Sequence, residues 1–400
     1  MVPEGWKLET VGDICDFING NGFKSTEWAK YGLPIIRIQN LNGSCDFNYF
    51  DGEPKDRWIV NPGDILFAWA GTKGVSFGAK RWGGPRGVLN QHIFRIEPKR
   101  DLDREWLYLA LRLVTQRVEE KAHGFKATLV HVQKSDITEQ NLHLPPLPEQ
   151  KKIAQILSTW DQAITANERL LENSQQQKKA LIQQLLTGKK RLPGFDGTWE
   201  EVTLGSLFHR VTTRNEGQST NVVTISGQQG LIRQQEFFKK SVASETLDNY
   251  FLLKRGQFAY NKSYSNGYPM GAIKRLNRYE DGVVTTLYIC FELADERTAD
   301  SDFYEQYFES GQLIKGLMQI AHEGARAHGL LNVKPSDFFS LKVHKPPIDE
   351  QKAIARLLVT TDRELQAHKS RLEQLKIEKK ALMQQLLTGK RRVKLETEAA

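Results

Sequence analysis

Two stretches of the chain place apolar residues on alternating four- and three-residue steps. In the first stretch these residues are Ile153, Leu157, Trp160, Ile164, Leu171, Leu181 and Leu185, with Asn167, Ser174 and Lys178 in the gaps. In the second they are Ile354, Leu358, Leu365, Leu372, Leu375, Leu382 and Leu386, with Thr361, His368 and Lys379 in the gaps. An apolar period of 3.5 residues sustained this long favours a coiled coil over an ordinary amphipathic helix.

Each stripe has a start signal and a stop signal. A proline pair, Pro145-Pro146 or Pro346-Pro347, precedes the stripe, and Gly188 or Gly389 follows it. Proline blocks a helix before it, and glycine readily takes the left-handed conformation that ends one. Each stripe therefore predicts a single helix of about 38 residues, roughly 57 Å long.

The two predicted helices are near copies of each other. KKALIQQLLTGKKR begins at Lys178 and KKALMQQLLTGKRR at Lys379, an offset of 379 − 178 = 201 residues, and PPLPEQ and PPIDEQ keep that offset. Fainter echoes precede the helices, such as NPGDILFAW (residues 61–69) and LKRGQFAYN (residues 253–261). The chain is thus two tandem copies of a globular segment followed by a long helix.

These boundaries predict five segments along the chain. They are a first globular domain at residues 1–144, a helical spacer at 145–192, a second domain at 193–345, a second spacer at 346–393 and a tail at 394–400. Only about a dozen residues separate the first helix from the second domain, so antiparallel pairing needs no long return of the chain. We expect an antiparallel coiled coil with pseudo-two-fold symmetry, a domain at each end, and Leu171 and Leu372 near the middle of the seam.

The globular segments have the pattern of α/β (α+β) domains. Apolar and β-branched runs alternate with loops rich in Gly and Asn. These runs are LPIIRIQNL, DILFAWA and QHIFRIEP in the first domain and NVVTIS, QFAYN and VVTTLYICFEL in the second. An amphipathic helix is predicted near the end of each domain, at residues 105–121 and 302–318.

Positive charge is concentrated in the helical repeats. Residues 149–192 carry 8 Lys and Arg against 4 Asp and Glu, and residues 349–394 carry 12 against 6, whereas the net charge of the whole chain is +8. A basic helix face is either simply solvated or a surface that follows phosphates, and charge alone leaves both open.

The cysteines and the apolar runs indicate a cytoplasmic protein. Cys15, Cys45 and Cys290 lack CxxC spacing, which argues against a disulfide framework or a zinc site. No apolar run approaches the roughly 20 residues of a membrane span, and the N-terminus has no signal-peptide core. We therefore expect neither a metal site nor membrane contact.

Motifs for catalysis are missing from the sequence. An amino-methyltransferase of DNA needs an Asp/Asn-Pro-Pro-Tyr type motif and a glycine-rich cofactor loop, but neither proline pair has those neighbours and no G-x-G-x-x-G occurs. There is no Pro-Asp of the common nuclease core and no Walker-A spacing, and His322-Glu323 lacks the second His of a zinc site. We interpret the chain as a binding protein.

Two matching loops carry the residue types that bind DNA. Glycine lets a loop approach a backbone closely, Lys and Arg contact phosphates or guanine, and Asn and Gln suit adenine. In the first loop, residues 70–87, the candidates are Lys73, Lys80, Arg81, Trp82 and Arg86. The matching loop of the second domain, residues 260–275, offers Asn261, Lys262, Asn266 and Tyr268, and the separate segment 225–230 adds Gln228 and Gln229. A polar surface loop without a partner is the competing interpretation for any one of these residues.

The tandem plan, the PPLPEQ and PPIDEQ openings and the QQLLTGK helix ends resemble the specificity subunit of Type I restriction–modification systems. The resemblance covers essentially the whole chain. It implies two target-recognition domains that each read one half of a bipartite, asymmetric sequence of double-stranded DNA. The helices then have a second role beside pairing, the docking of partners, for which the stripe residues Ile153, Leu157, Leu171, Leu181, Leu185, Ile354, Leu358, Leu372, Leu382 and Leu386 are the candidates.

The resemblance also implies the partners and places all catalysis in them. It implies two copies of an adenine methyltransferase subunit that carries S-adenosylmethionine, and an ATP-dependent restriction/translocase subunit that uses ATP and Mg. The chain itself is then a non-enzymatic subunit without a cofactor. Specificity subunits of Type IIB-like enzymes share this architecture, so that assembly stays open. A coiled-coil scaffold that binds no DNA and an enzyme with an unfamiliar site are also compatible with the sequence.

Overall fold

Short strands and loops make up the globular segments, and a long helix follows each of them. The computed structural model describes residues 2–121, 129–237, 246–265, 267–323 and 331–395. The strands of the first half are β1 (Lys7–Thr10), β2 (Cys15–Asn19), β3 (Leu33–Ile36), β4 (Asn48–Phe50), β5 (Ile59–Val60), β6 (Ile65–Ala68), β7 (Ala70–Thr72), β8 (Gly78–Arg81), β9 (Gly87–Leu89), β10 (Ile93–Pro98), β11 (Leu129–His131) and β12 (Asn141–Leu144). Its helices are α1 (Val11–Ile14), α2 (Ile38–Leu41), α3 (Arg104–Lys121), α4 (Lys134–Thr138) and the long α5 (Leu147–Leu185).

The second half follows the same order. Its strands are β13 (Glu200–Thr203), β14 (Phe208–Val211), β15 (Val223–Ser226), β16 (Gly230–Arg233), β17 (Phe251–Lys254), β18 (Phe258–Asn261), β19 (Ala272–Arg275), β20 (Asp281–Val284), β21 (Ile289–Leu293), β22 (His322–Glu323), β23 (Leu331–Asn332) and β24 (Lys342–Lys345). Its helices are α6 (Leu204–Leu207), α7 (Gln234–Phe237), α8 (Ser301–Glu309), α9 (Ile314–Ile320), α10 (Pro335–Phe339) and the long α11 (Ile348–Leu387).

The two long helices begin and end as the sequence predicts. Helices α5 and α11 each start directly after their proline pair. Gly188 and Gly389, just beyond the helix ends, have φ angles of +68° and +71°. Glycine takes this left-handed conformation without steric cost, so it satisfies the turn that ends a helix.

The same sheet frame is built in both halves of the chain. One half contains the antiparallel order β2-β10-β6-β8 and the pair β1-β12, and the other contains β14-β21-β18-β19 and β13-β24. The echoing segments of the sequence supply β6 and β18, which hold the same place in their sheets. The first half adds a sheet β4-β3-β9-β5, whereas the second adds the pairs β15-β16 and β17-β20. The domains therefore share a frame and differ in what is attached to it.

The structure divides several of the segments named from the sequence, for example LPIIRIQNL, which forms β3 and helix α2. The second amphipathic helix, predicted as one segment, is split into α8 and α9 around Gly311, whose φ is +78°. The run VVTTLYICFEL forms β20 and β21 rather than one strand. Residues 285–288 turn between these strands, and β20 and β21 belong to different sheets. Apolar runs do not mark such a change of sheet, because both strands are buried.

The chain divides into two compact units that each draw on both long helices. Unit 1 comprises Met1–Glu168 and Arg371–Ala400, and unit 2 comprises Arg169–Ser370. In unit 1 the domain core includes Ile153, Ala154 and Leu157 of α5 and Met383, Leu386 and Leu387 of α11. In unit 2 it includes Leu185 at the end of α5, Leu186 just beyond it, and Ile354, Ala355 and Leu358 of α11. Each domain core is therefore completed by the start of one helix and the end of the other.

Ion pairs within each unit show that the helices run antiparallel. In unit 1 Asp161 of α5 pairs with Lys379 of α11, and Glu168 pairs with Lys376 at 2.7 Å, so the residue number falls on one helix as it rises on the other. In unit 2 Lys178 pairs with Asp362 at 2.5 Å. Lys178 and Lys379 occupy polar gaps of the apolar stripes. Their side chains bring charge into the seam and fix which residues lie opposite each other.

A buried carboxylate joins three distant segments in unit 2. Glu350, in the first turn of α11, has a fully buried side chain. The Arg191 guanidinium donates to both of its oxygens at 2.5 Å, and the Trp199 indole N–H donates at 2.9 Å. The hydrogen bond to Glu350 raises the pKa of Arg191. The end of the α5 segment, the start of α11 and the start of the second domain thus meet at one charge pair.

Unit 1 repeats this arrangement with the equivalent residues. Glu149, at the start of α5, accepts from Arg392 and, at 3.1 Å, from the Trp6 indole N–H. The next residue of each motif, Gln150 or Gln351, accepts from the backbone N–H of Asp103 or Asp300, the residues that precede α3 and α8. We call Glu149–Arg392–Trp6 and Glu350–Arg191–Trp199 the carboxylate clamps. They explain why the sequence repeats Glu-Gln at one helix end and Arg beyond the other.

Breaking the clamp of unit 2 should destabilise the protein. Arg191→Met leaves the buried Glu350 carboxylate without its ionic partner, which typically costs about 3–5 kcal/mol. Urea unfolding would measure this loss of free energy. The double variant R191M/E350Q should recover a large part, since no buried charge remains. Equal losses in the single and double variants would contradict an ionic clamp.

Truncating the fully buried leucines of the seam should also be costly. Leu157 and Leu358 have no exposed surface. Replacement of either by Ala should lower the free energy of unfolding by about 2–5 kcal/mol, because a cavity is left. Leu170→Ala is the matched control on α5, since Leu170 is 48% exposed. If Leu170→Ala lowers the free energy of unfolding as much as Leu157→Ala does, burial of the side chain in the core is not the cause of the loss.

Candidate functional site

The first predicted binding loop lies at the edge of the β2-β10-β6-β8 sheet. Lys73 is exposed, and its Nζ donates to the backbone oxygen of Glu119 at 3.0 Å. The Gly74 N–H donates to Glu119 Oε1 at 2.7 Å. The loop after β7 is therefore held against the end of α3, with the Lys73 side chain at the surface.

Lys80 and Arg81 lie side by side on β8 but differ in surroundings. Arg81 forms an ion pair with Glu105 and lies over the Tyr108 ring, 5.2 Å from its centroid. Lys80 is half-buried and donates to the Val75 carbonyl oxygen at 2.8 Å. Burial, and then the nearby Arg112 charge, lower the pKa of Lys80.

Trp82 and Arg86 have opposite environments. Trp82 is only 4% exposed, packs in a core cluster with Leu66 and Leu89, and donates its indole N–H to the Pro85 carbonyl oxygen at 2.8 Å. Its ring is occupied by the core, so it offers no free face on which a base could stack. Arg86 is exposed, and its side chain has no hydrogen-bond or ion-pair partner among the described residues. Of this loop, Arg86 is the residue best placed to reach a ligand.

The additional candidates of the second domain lie at the turn between β15 and β16. Gln228 and Gln229 are exposed at this turn. The Gly227 carbonyl oxygen beside them accepts from Lys274 Nζ at 2.8 Å and lies 2.8 Å from the Tyr268 hydroxyl. The two glutamines are thus exposed to solvent on a turn that Lys274 and Tyr268 hold through the Gly227 carbonyl oxygen.

The remaining candidates of the second domain are partly enclosed. The Asn261 side-chain oxygen accepts from the Ser263 N–H at 3.1 Å. Burial, and then the charge of Arg210, lower the pKa of Lys262. The Tyr268 hydroxyl lies 2.8 Å from Glu309 Oε2, and burial raises its pKa, so Tyr268 supports the turn rather than facing solvent. Asn266 lies outside the described residues.

Exposed aromatic side chains are candidates that the sequence reasoning missed. Tyr264 is 64% exposed in the loop after β18, and Tyr31 is 71% exposed in the first domain. Near the latter in sequence, the Arg37 guanidinium lies 5.1 Å from the Trp28 ring centroid. The sequence signal for such a residue is an aromatic side chain close to a basic one in a polar stretch. Many buried aromatic residues have the same neighbours, so the signal does not identify the exposed ones.

The predicted stripe residues line the protected side of the long helices. Ile153, Leu157, Leu185, Ile354, Leu358 and Leu386 are buried, whereas Leu171, Leu181, Leu372 and Leu382 are half-buried. Packing is therefore closer at Leu157 and Leu358 than at Leu171 and Leu372, and Leu375 of the second stripe is also buried. Their docking role stays a prediction.

A second set of repeated residues lies on the outer side of the helices. These residues are identical in the two repeats yet exposed in both, and they are Lys179, Ala180, Gln183 and Gln184 with their equivalents Lys380, Ala381, Gln384 and Gln385. We call the two sets the repeated outer faces. Packing does not require identity at exposed positions, so another constraint common to both helices accounts for it.

The described part of the chain lacks the features of two other kinds of site, a metal centre and a membrane span. It contains no group of three or more His, Cys, Asp or Glu able to hold a metal ion. It also contains no helix long and apolar enough to cross a membrane. Cys15, Cys45 and Cys290 are free thiols, and burial raises the pKa of Cys15 and of Cys290 to about 12, so both stay protonated.

Comparisons with known proteins agree on one family. Residues 3–173 match the family model described as the Type I restriction modification DNA specificity domain. The Type I restriction enzyme MjaVIII specificity subunit of Methanocaldococcus jannaschii is 26% identical and the match covers 98% of this chain and 94% of that protein.

Solved structures share the fold over nearly the whole length. The S subunit of a Type-I restriction-modification system from M. genitalium matches with a TM-score of 0.56 and 16% identity, covering 96% of each chain. A chain from a study of complex assembly and conformational transition of the type I R-M system matches with a TM-score of 0.59 and 14% identity, covering 97% of this chain and 98% of that one. With the repeated domain-and-helix plan, these matches lead to one conclusion: over nearly its whole length the chain is similar to specificity subunits of Type I restriction–modification systems, and residues 3–173 match the specificity-domain model.

Proposed function

We propose that this chain is the DNA-recognition subunit of a Type I restriction–modification complex. Each domain reads one half of a bipartite, asymmetric target in double-stranded DNA. The long helices dock two copies of an adenine methyltransferase subunit, and that core recruits the ATP-dependent restriction subunit. S-adenosylmethionine, ATP and Mg act in those partners, and this chain contributes no catalytic group.

The observation that carries the proposal is a duplicated frame with two different surfaces. Both units have the same carboxylate clamp, the same four-stranded sheet and the same kind of helix residues completing the domain core. The exposed loops differ: Lys73 and Arg86 belong to the first domain, whereas Gln228 and Gln229 belong to the second. Equal frames with unlike surfaces suit two readers of an asymmetric sequence that share one kind of partner.

The chemistry of the loops fits two kinds of DNA contact. Lys and Arg position a protein on phosphates, and Arg also reads guanine, so Lys73 and Arg86 suit both tasks. Gln reads adenine through paired hydrogen bonds, which suits the exposed Gln228 and Gln229. The two domains alone have modest surfaces, and simultaneous engagement of two half-sites would raise their combined affinity.

The repeated outer faces fit the docking of identical partners. Two copies of one subunit need the same surface twice, and each long helix presents the same exposed Lys-Ala and Gln-Gln pattern. The small Ala180 and Ala381 allow a partner helix to approach closely, and the flanking glutamines can form hydrogen bonds across the contact. Assembly on the Type IIB-like plan would use the same faces.

Exchanging residues 1–144 for the matching domain of a relative should change one half of the methylated sequence. The helix residues that complete the core of unit 1, such as Met383 and Leu386, stay in place and recur in kind in the other repeat. The measurement is a genome-wide map of methylated adenines in a host that carries the partner subunits. A change in both halves at once would contradict independent readers.

Charged substitutions on the repeated outer faces should remove the partners one at a time. Ala180→Glu or Ala381→Glu should each leave one methyltransferase subunit bound, and the double variant should bind none. Mass measurement of the assembled complex reads this stoichiometry directly. Thermal stability should barely move, within about 0.5 kcal/mol, because both sites are exposed and Glu is a good helix former.

Gln175→Glu is the matched control for this test. Gln175 is exposed on α5, but its equivalent in the other repeat is Lys376, so the position is not shared. The control should keep both partner copies. Full assembly of the A180E/A381E double variant would place the docking surface elsewhere.

A further inference from the structure

A positively charged cleft lies within unit 1, between β8, α3 and the last turns of α11. Its volume is about 470 Å³. Five cationic side chains line it against two carboxylates, and the cations are Lys80, Arg112, Lys376, Lys379 and Lys380. Phe77 and Met383 form part of its apolar wall. The cleft therefore carries an excess of positive charge beside an apolar wall.

The two carboxylates do not balance this charge. Lys379 is paired with Asp161, and Lys376 is paired with Glu168, so Lys80, Arg112 and Lys380 are the cations of the cleft that no carboxylate pairs with among the described residues. Glu119 accepts from the Gly74 N–H, and its attraction for Lys80 is weaker than the repulsion from Arg112, which together with burial lowers the pKa of Lys80. Arg112 has no carboxylate partner within the described ranges. Lys80 and Arg112 therefore line the same cleft, and neither has a carboxylate within ion-pair distance among the described residues.

The amide of Gln116 adds a polar group that lacks a partner. It lines the same cleft, and its Oε1 is buried without a hydrogen bond to any described residue. A side-chain amide can turn to present either its oxygen or its NH₂ group. Turned with the NH₂ group inward, Gln116 could donate to an anion held by Lys80 and Arg112.

Unit 2 has a lysine at the position equivalent to Lys80. Lys80 pairs with Leu66 across the sheet, and Lys274 pairs with Ala259 at the matching position of β18 and β19. The next residues, Arg81 and Arg275, both form ion pairs with the first turns of α3 and α8. Lys80 and Lys274 are therefore equivalent.

The residue that faces this lysine differs between the units. Asp103 and Asp300 precede α3 and α8 and are held by equivalent glutamines, and nine residues later stand Arg112 and Glu309. Glu309 forms an ion pair with Lys274 at 2.5 Å. The same lysine is thus neutralised in unit 2 and faces an arginine in unit 1.

We propose that the cleft of unit 1 binds a phosphate group and that its counterpart in unit 2 does not. Lys and Arg without carboxylate partners are the usual ligands of phosphate, and the bound anion would relieve the repulsion between Lys80 and Arg112. The phosphate belongs either to the DNA backbone or to a free polyphosphate. Gly74 lines the cleft beside the predicted DNA-binding residue Lys73, so the backbone source rests on the proposed function.

The test compares Arg112→Glu, which installs the residue type of unit 2, with Arg104→Glu as control. Arg104 lies on the same helix, is 61% exposed in its side chain and is not part of the cleft. Arg112→Gln removes the charge without adding a new one. Melting curves of all three full-length variants should match the unmodified chain within about 1 kcal/mol, because Arg104 and Arg112 are both exposed and Arg104 forms only a surface ion pair with Asp64 at 3.5 Å.

One arm measures binding of the full-length chain to duplex DNA over a range of salt concentrations. Loss of one phosphate contact should reduce the slope of log K against log salt by about 0.9 in R112E and R112Q. The second arm titrates inorganic pyrophosphate by calorimetry, where both variants should bind at least about tenfold more weakly if a charge-assisted contact is lost. The control should match the unmodified chain in both arms.

The two arms together distinguish a DNA phosphate from a free polyphosphate. They also distinguish failure of the cleft proposal from failure of the proposed function. A changed slope assigns the phosphate to DNA, and a change confined to pyrophosphate assigns it to a free polyphosphate. If R112E and R112Q behave as R104E does in both arms, the cleft is not a phosphate site and the proposal is overturned. Absence of any DNA binding by the unmodified chain would count against the proposed function, while the pyrophosphate arm would still decide the cleft.

Discussion

A buried carboxylate at the first turn of each long helix is the interaction on which the rest of the structure depends. A buried carboxylate is costly without a partner, and the partner of Glu149 or Glu350 comes from beyond the end of the other helix, as Arg392 or Arg191. The same carboxylate accepts from a tryptophan of the adjoining domain. One charge therefore sets the antiparallel register in each unit and attaches a domain to it.

This construction separates what must stay constant from what can vary. The clamps and the buried leucines lie at the ends of both helices. Each domain therefore packs against helix residues of the same types. Loops beyond the four-stranded sheets contribute little to that packing. They can therefore change in length, charge and residue type at small cost to stability, as the different additions to the two sheets illustrate.

Electrostatics separates the two units more than their folds do. The equivalent lysines of β8 and β19 occupy the same backbone position. A single residue on the neighbouring helix determines whether the lysine has a carboxylate partner. Arg112 leaves Lys80 in an uncompensated field, whereas Glu309 closes a network with Lys274 and Tyr268. A duplicated frame thus gives two surfaces of different charge without a change in topology.

The sequence by itself determined the tandem plan, the long helices with their ends, and the strands as a class. Those features depend on local periodicity and on proline and glycine, which act through neighbouring residues. The role of Glu-Gln in the repeat, the burial of Trp82 and the pairing of Lys178 with Asp362 were decided only by the tertiary structure. The same holds for the split of α8 from α9 and for the cleft around Arg112. Each of these joins residues that are far apart in the chain, and the energy of a buried charge or ring depends on what surrounds it in space rather than in sequence.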